Sequence, residues 1–317
     1  MKNVLLLRTS SMGDLIHTWP ALTDLARHRP DVTVSWLAEE GFADIPGLHP
    51  LVSRTIPIAW RRWRKALFKA ATWREIRTLR HTLAATRWEL VLDAQGLLKS
   101  AIPGRWARGP LAGYDRASIR EPLASRFYDR RYAVSRQLSA IERNRQLFGA
   151  AFGYRPEGAP VFGIRCGARL AWLPAGDYAV LLHATSRDSK LWPEAHWIAL
   201  AQALQRQGLA IVIPWGSAAE RERAQRLAAA IPGALLAPKM TLREAAALLG
   251  HAAAVIGVDT GLTHLANALD VPLVAIFTDT DPALVGGVGT RAANIGRAGE
   301  IPAVDAVLAL LARVRGA

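Results

Sequence analysis

Val4-Leu5-Leu6-Leu7-Arg8-Thr9-Ser10-Ser11-Met12-Gly13-Asp14-Leu15-Ile16 stands near the start of the chain. Its four consecutive apolar residues read as a buried strand, and Leu15-Ile16 begins a helical run. The polar residues between them form a strand-to-helix loop. In an open parallel α/β sheet, such a loop lies beyond the carboxyl ends of the strands, where ligands bind. Gly13 permits backbone conformations and close approaches denied to other residues. Asp14, in the first helical turn, is expected to stay ionised because the helix dipole favours its charge. An ionised carboxylate can accept a proton. Ser10, Ser11 and Asp14 are also ordinary capping residues, so this loop alone supports a structural reading as well as a catalytic one.

Outward from that loop, strand-like runs at 32–37 and 90–93 alternate with helical stretches at 20–29, 73–85 and 141–152, which predicts parallel βαβ units. Residues 154–160, with two prolines and a glycine, lack helical periodicity and read as a linker. A second βα series follows, with strands at 178–183, 210–215, 253–258 and 273–278. Two α/β domains facing one another are expected, at 1–155 and 160–317, and a length of 317 residues suits two cores better than one. The apolar helical stretch 304–315 is expected to pack on one of them, with a return onto the first left open.

The single cysteine, Cys166, excludes an intramolecular disulfide and fits a reducing compartment. No apolar run is long enough for a membrane span, so a soluble chain is expected. The net charge of +14 is unevenly spread: residues 1–160 hold 26 Lys/Arg against 14 Asp/Glu, whereas residues 161–317 hold 14 against 12. A cationic field confined to one half implies an anionic partner there, be it nucleic acid, an acidic membrane or a phosphorylated substrate.

Three loops of the second half carry polar chemistry. Ala184-Thr185-Ser186-Arg187-Asp188-Ser189-Lys190 combines hydroxyls with cations, a composition that binds phosphate oxygens, and Pro193 suits the first position of the next helix. A solvated loop explains the same residues. Asp259-Thr260-Gly261-Leu262-Thr263-His264 leads from a strand into a helix beginning near Thr263, whose free amides suit a pyrophosphate. Asp259 and Thr260 could equally cap that helix, and His264 could be satisfied locally. Ser217 and Glu220 have capping-box spacing, yet Glu220 could also accept ribose hydroxyls. Met240, in Pro238-Lys239-Met240, could border an adenine.

Residues 54–80 carry nine Lys/Arg against Glu75 alone. On one helix, Trp60, Trp63 and Leu67 would share a face, with Arg61, Arg62, Lys65 and Lys69 on another. Such an amphipathic cationic element suits a membrane surface or a phosphorylated lipid. Zinc ligands, a recognition-helix pattern and RNA-binding aromatics are missing from the sequence, so nucleic acid is the weaker partner. The first loop lacks G-x-G-x-x-G, which argues against a dinucleotide oxidoreductase.

Together, Thr9-Ser10-Ser11-Met12-Gly13-Asp14, Arg61-Arg62-Trp63-Arg64-Lys65, Asp93-Ala94-Gln95-Gly96-Leu97, Arg120-Glu121-Pro122, His183-Ala184-Thr185, Asp259-Thr260-Gly261-Leu262-Thr263-His264 and Thr280-Asp281-Pro282 resemble a known family. It is that of the ADP-heptose-dependent heptosyltransferases of lipopolysaccharide inner-core synthesis, glycosyltransferases of the GT-B fold with two Rossmann-like domains across a cleft. The resemblance, strongest to members adding the first heptose, implies inverting transfer of L-glycero-D-manno-heptose from ADP-heptose to a Kdo sugar of Kdo2-lipid A. It makes Asp14 the general base. Thr185, Ser186, Lys190, Glu220, Met240, Asp259, Thr260, Gly261 and His264 become donor-binding residues. Ser11, Gly13, Arg61, Arg62, Arg64, Lys65 and Arg120 become acceptor-binding. It implies no required cofactor and no metal site, with Mg2+ at most an accompaniment of ADP. Peripheral work on the cytoplasmic face of the inner membrane is implied as well. A later-acting heptosyltransferase and a basic nucleic-acid-binding protein stand as alternatives.

Overall fold

β1 (Lys2–Leu7) is buried from Val4 onward and pairs in parallel with β2 (Val32–Glu39) on one side and β4 (Leu90–Asp93) on the other. With β3 (Val52–Ile58), β5 (Leu111–Tyr114) and β6 (Arg130–Tyr132) they form a six-stranded parallel sheet ordered β3-β2-β1-β4-β5-β6. The order reverses direction between β1 and β4. The loops leaving those two strands therefore diverge to opposite faces and open a crevice, as in doubly wound folds.

The structure is a computed structural model that describes residues 1–185, 187–282 and 286–316. It divides into two units, Met1–Ile164 and Arg165–Ala317. The second repeats the plan of the first. Its parallel sheet runs β12-β11-β10-β7-β8-β9, where β7 is Tyr178–Leu182, β8 Ala210–Ile213, β9 Leu235–Leu236, β10 Ala254–Val258, β11 Leu273–Ile276 and β12 Ala292–Ile295. Its switch point lies between β7 and β10.

The unit boundary falls after the stretch 154–160 expected as the linker, because that stretch is held to the first unit. Arg145, on the helix Ala140–Phe152, donates from Nη2 to Glu157 O (2.8 Å) and from Nη1 to Gly158 O (3.1 Å). Thr23 Oγ1 donates to Phe162 O at 3.2 Å. The C-terminal helix Val304–Arg315 belongs to the second unit. Its Val307, Leu311 and Val314 join the core of the second, around the edge-to-face pair Trp192 and Trp197.

The same Arg145 donates from Nε to Asp24 Oδ2 at 2.7 Å, with the two side chains only 3% and 5% exposed. Removing one partner of a buried pair strands the other charge. Arg145→Ala should therefore lower the stability of the first unit by about 3–5 kcal/mol, read as a fall in the urea midpoint, with a smaller loss for Arg145→Lys.

Candidate active site

In the first unit, Asp14 lies in α1 (Met12–Ile16), immediately beyond the β1 end of the crevice. Its Oδ1 accepts from Arg8 Nη2 at 2.9 Å, and its Oδ2 accepts from Ser11 N at 2.7 Å and Ser11 Oγ at 3.1 Å. It thus serves as a cap, and its geometry also leaves it reachable, with a third of the side chain exposed. Burial would raise its pKa, but Arg8, the Ser11 amide, His17 and the Ser11 hydroxyl outweigh it and hold the carboxyl below its ordinary value. The expected agent was a helix dipole. A five-residue helix offers little of one, and the guanidinium of Arg8 is the nearer source of stabilisation. Gly13 is buried within α1 and is not among the glycines with positive φ, so its left-handed freedom is unused.

The loop after β4 holds this arrangement. Gln95 Oε1 accepts from Thr9 N (2.9 Å) and Ser10 N (3.1 Å), and Arg8 Nη1 donates to Ala94 O. Two cavities meet at Asp14. One of about 160 Å³ is lined by Arg8, Ala94, Gln95, Tyr114, Arg120, Arg143 and Asn144 among others. The second, about 340 Å³, is lined by Ser10, Ser11, Gln95, Leu97, Lys99, Arg120 and Glu121 as well as Asp14. Arg120 and Ser11 are thereby brought to Asp14. Lys99, Gln95 and Arg8 were not singled out from sequence, although a lysine in the first turn of a helix, against the dipole, is a signal that could have been read.

The basic segment does not form one amphipathic helix. Trp60–Trp63 is a single turn, the chain then turns through 64–69, and a second helix runs Ala70–Ala85. Trp63 is buried and donates from Nε1 to Glu75 Oε2 at 2.6 Å, whereas Leu67 is 47% exposed, so they do not share a face. Arg62 bridges Glu40 and Glu75 at 3.0 and 2.9 Å. Both carboxylates are therefore already satisfying its charge. Arg61 lies over the Phe42 ring at 5.1 Å, and Arg64 and Lys65 are exposed.

In the second unit, loops from β7 and β10 converge on Asp259. Its Oδ2 accepts from Lys190 Nζ and from Thr280 Oγ1 (2.7 Å), His264 Nε2 lies 3.5 Å from Oδ1, and Thr185 Oγ1 donates to its backbone oxygen at 2.9 Å. Burial opposes ionisation here, but the hydrogen bonds from His264, Lys190 and Thr280 depress the pKa strongly. Asp259 is thus a buried anchor for the surrounding donors. An ammonium carries three N–H groups, so Lys190 can donate to an anion as well as to Asp259. The helix Gly261–Ala268 starts two residues earlier than expected, and Thr260 at its N-cap makes no side-chain capping bond. Its first amides point to an anion site. Pro193 is the N-cap of Glu194–Arg206, one position before the expected one. Glu220 completes the capping box with Ser217, its Oε2 accepting from Gly216 N at 2.7 Å. Met240 is half-buried in the loop before Leu242–Gly250. Ser186 lies outside the described residues.

Residues 76–307 match the profile of glycosyltransferase family 9 (heptosyltransferase). The chain belongs to this family. It is 48% identical over 295 residues to lipopolysaccharide heptosyltransferase 1 of Pseudomonas aeruginosa, covering 92% of this chain and 83% of that one. To lipopolysaccharide heptosyltransferase 1 of Escherichia coli K12 it is 47% identical over 290 residues, covering 90% and 91%. A solved structure of E. coli heptosyltransferase WaaC with ADP superposes with a TM-score of 0.92 at 42% identity over 98% of this chain and 99% of that one. This family 9 glycosyltransferase accordingly has the GT-B fold, as the sequence resemblance implied.

Because its folded pKa is depressed, the Asp259 cluster contributes its full stability above the ordinary carboxylate value of 3.8 and loses it as pH falls below that value. The difference in urea stability between the native protein and Asp259→Asn should shrink as pH falls below about 4. A difference that instead grew in that range would contradict this assignment.

Proposed function

We propose that this chain transfers L-glycero-D-manno-heptose from ADP-heptose to a Kdo sugar of Kdo2-lipid A, with inversion at the anomeric carbon. The observation that carries the reading is Asp14, ionised, fixed by Arg8 and Ser11, and opening onto cavities that share the cation Arg120. An ionised carboxylate has roughly four lone-pair sites. Arg8 and Ser11 use three of them, which leaves one for an acceptor hydroxyl.

A carboxylate of lowered pKa is a weak base towards a free alcohol. The alcohol becomes acidic only as its oxygen bonds to the anomeric carbon, so transfer of its proton to Asp14 accompanies that bond. The bond between the anomeric carbon and the diphosphate oxygen breaks with both electrons on ADP. The free amides at Gly261, with Lys190 and His264, are suited to the charge that develops there. Thr185 and Asp259 would shape this diphosphate site, while Glu220 and Met240 would meet the nucleoside. This chemistry needs no metal, and Mg2+ would only accompany ADP.

The acceptor reading is supported by the charge excess of the first half and by exposed Arg61, Arg64 and Lys65. Arg62, bridged to two carboxylates, is better suited to shaping that surface than to meeting the acceptor. No helix among the described residues is long and apolar enough to cross a membrane. Phe68 is fully exposed, with Leu67 and Trp73 about half so, among Arg64, Lys65, Lys69 and Arg74. An apolar tip ringed by cations suits peripheral work on the cytoplasmic face of the inner membrane, where anionic headgroups and acyl chains meet.

Incubation with ADP-heptose and Kdo2-lipid A should add the mass of one heptose, with or without a metal chelator. Transfer only to an acceptor already carrying heptose would overturn the acceptor assignment in favour of a later step. Asp14→Ala should keep donor affinity and lose about 10²–10⁴ in kcat; near-native turnover would remove Asp14 from its role. Phe68→Ser should weaken sedimentation with anionic vesicles, and unchanged sedimentation would count against the tip.

A further inference from the structure

Lys99 stands apart from the other cations of the first unit. It lies in the first turn of the short helix Leu98–Gly104 and is half-buried. Its Nζ donates to a neutral group, Ser10 Oγ, at 2.6 Å. The neighbouring Glu121 accepts from Leu98 N at 2.7 Å. Burial, then the positive charges of Arg61 and Arg120, hold its pKa below the usual lysine value despite Glu39 and Asp14 nearby. Lys99 and Arg120 line one cavity of about 340 Å³ with Asp14. Two cations sharing a small cavity with a proton acceptor make a recognition site for an anion carried close to a reacting hydroxyl.

We propose that Lys99, with Arg120, binds the carboxylate of the acidic acceptor sugar and thereby sets the register of its hydroxyl on Asp14. This rests on the acceptor reading given above. The phosphates of the acceptor are the other anionic source, but they lie on different sugars from the reacting one. A carboxylate and the attacking hydroxyl on one ring can occupy one cavity together. Lys99 is in this sense a positioning and specificity-determining residue.

The test compares native protein with Lys99→Met on three acceptors: the unaltered lipid, a form whose Kdo carboxyl groups are reduced to alcohols, and a dephosphorylated form. Lys99→Met should raise the acceptor KM about 10- to 100-fold on the unaltered and dephosphorylated acceptors, the range expected for one charged hydrogen bond. It should leave the donor KM unchanged and make little difference on the carboxyl-reduced acceptor, and Lys99→Arg should restore most of the loss. Equal losses on all three acceptors would reduce Lys99 to a prop for Ser10, and loss of the effect on the dephosphorylated acceptor would assign it to phosphate; either overturns the proposal. If Lys99→Met does not fold, Arg120→Gln at an exposed position is read in the same way. Absence of transfer by the native protein would instead refute the acceptor reading itself.

Discussion

Asp93 is fully buried at the end of β4 and accepts four hydrogen bonds: from Gln95 N (2.8 Å), Gly96 N (3.1 Å), Ser100 Oγ (2.9 Å) and Tyr128 Oη (2.8 Å). Burial raises its pKa against the pull of those donors. A carboxylate in such a place is tolerable only because its lone pairs are met. The turn it enforces is what aims Gln95 at Thr9 and Ser10, and what presents Ala94 O to Arg8. Arg8 in turn fixes Asp14. The candidate base is therefore held by a chain of contacts that starts beneath the sheet edge, on the neighbouring strand across the switch point.

The two units treat charge differently. In the second, the acid and the base are mutually satisfied: Asp259 collects Lys190, Thr280 and His264, so the cluster is close to electrically balanced before any ligand arrives. Such a site suits a ligand held largely by backbone amides, since those donors add no net charge. In the first unit the cations outnumber their partners, and several, including Lys99 and Arg120, face cavities beside Asp14. Such a surplus suits an anionic ligand and favours the ionised carboxylate, at the cost of some self-repulsion among the cations.

The central strands were legible because parallel strands buried on both faces read as unbroken apolar runs, as Val4 to Leu7 and Ala254 to Val258 do. Edge strands were not. β3 carries Arg54 and Pro57, β6 begins Arg130-Arg131, and β9 is two residues long, all features that protect an edge and erase its pattern. The loops bearing Asp14, Lys190 and Asp259 were visible as polar breaks after those central strands. Asp14 finds its partners Arg8 and Ser11 in its own loop, but the contacts that join one loop to another were not visible, since Arg8 with Ala94 and Thr185 and Lys190 with Asp259 are separated by many residues, and only the strand order makes them neighbours. The basic segment misled for a local reason. Helical spacing put Trp60, Trp63 and Leu67 on one stripe, but Thr72 Oγ1 donates to Ala66 O and Trp73 Nε1 to Leu67 O, and these bonds stabilise a turn where a continuous helix was expected.

The opposition between capping and catalysis at Asp14 dissolves in the geometry. A cap needs an acceptor pointed at the first amides of a helix, and a general base needs an acceptor that stays deprotonated and in place. Ser11 N, by donating to Oδ2, meets the first need and fixes the carboxylate plane for the second. Arg8 then occupies one side of Oδ1, which narrows the approach open to an acceptor hydroxyl to the side facing the cavities. The contacts that make this residue look merely structural are the ones that would orient it for proton transfer. They also weaken its basicity, so a proton passed to Asp14 in the proposed reaction would move late, once the new glycosidic bond has begun to form.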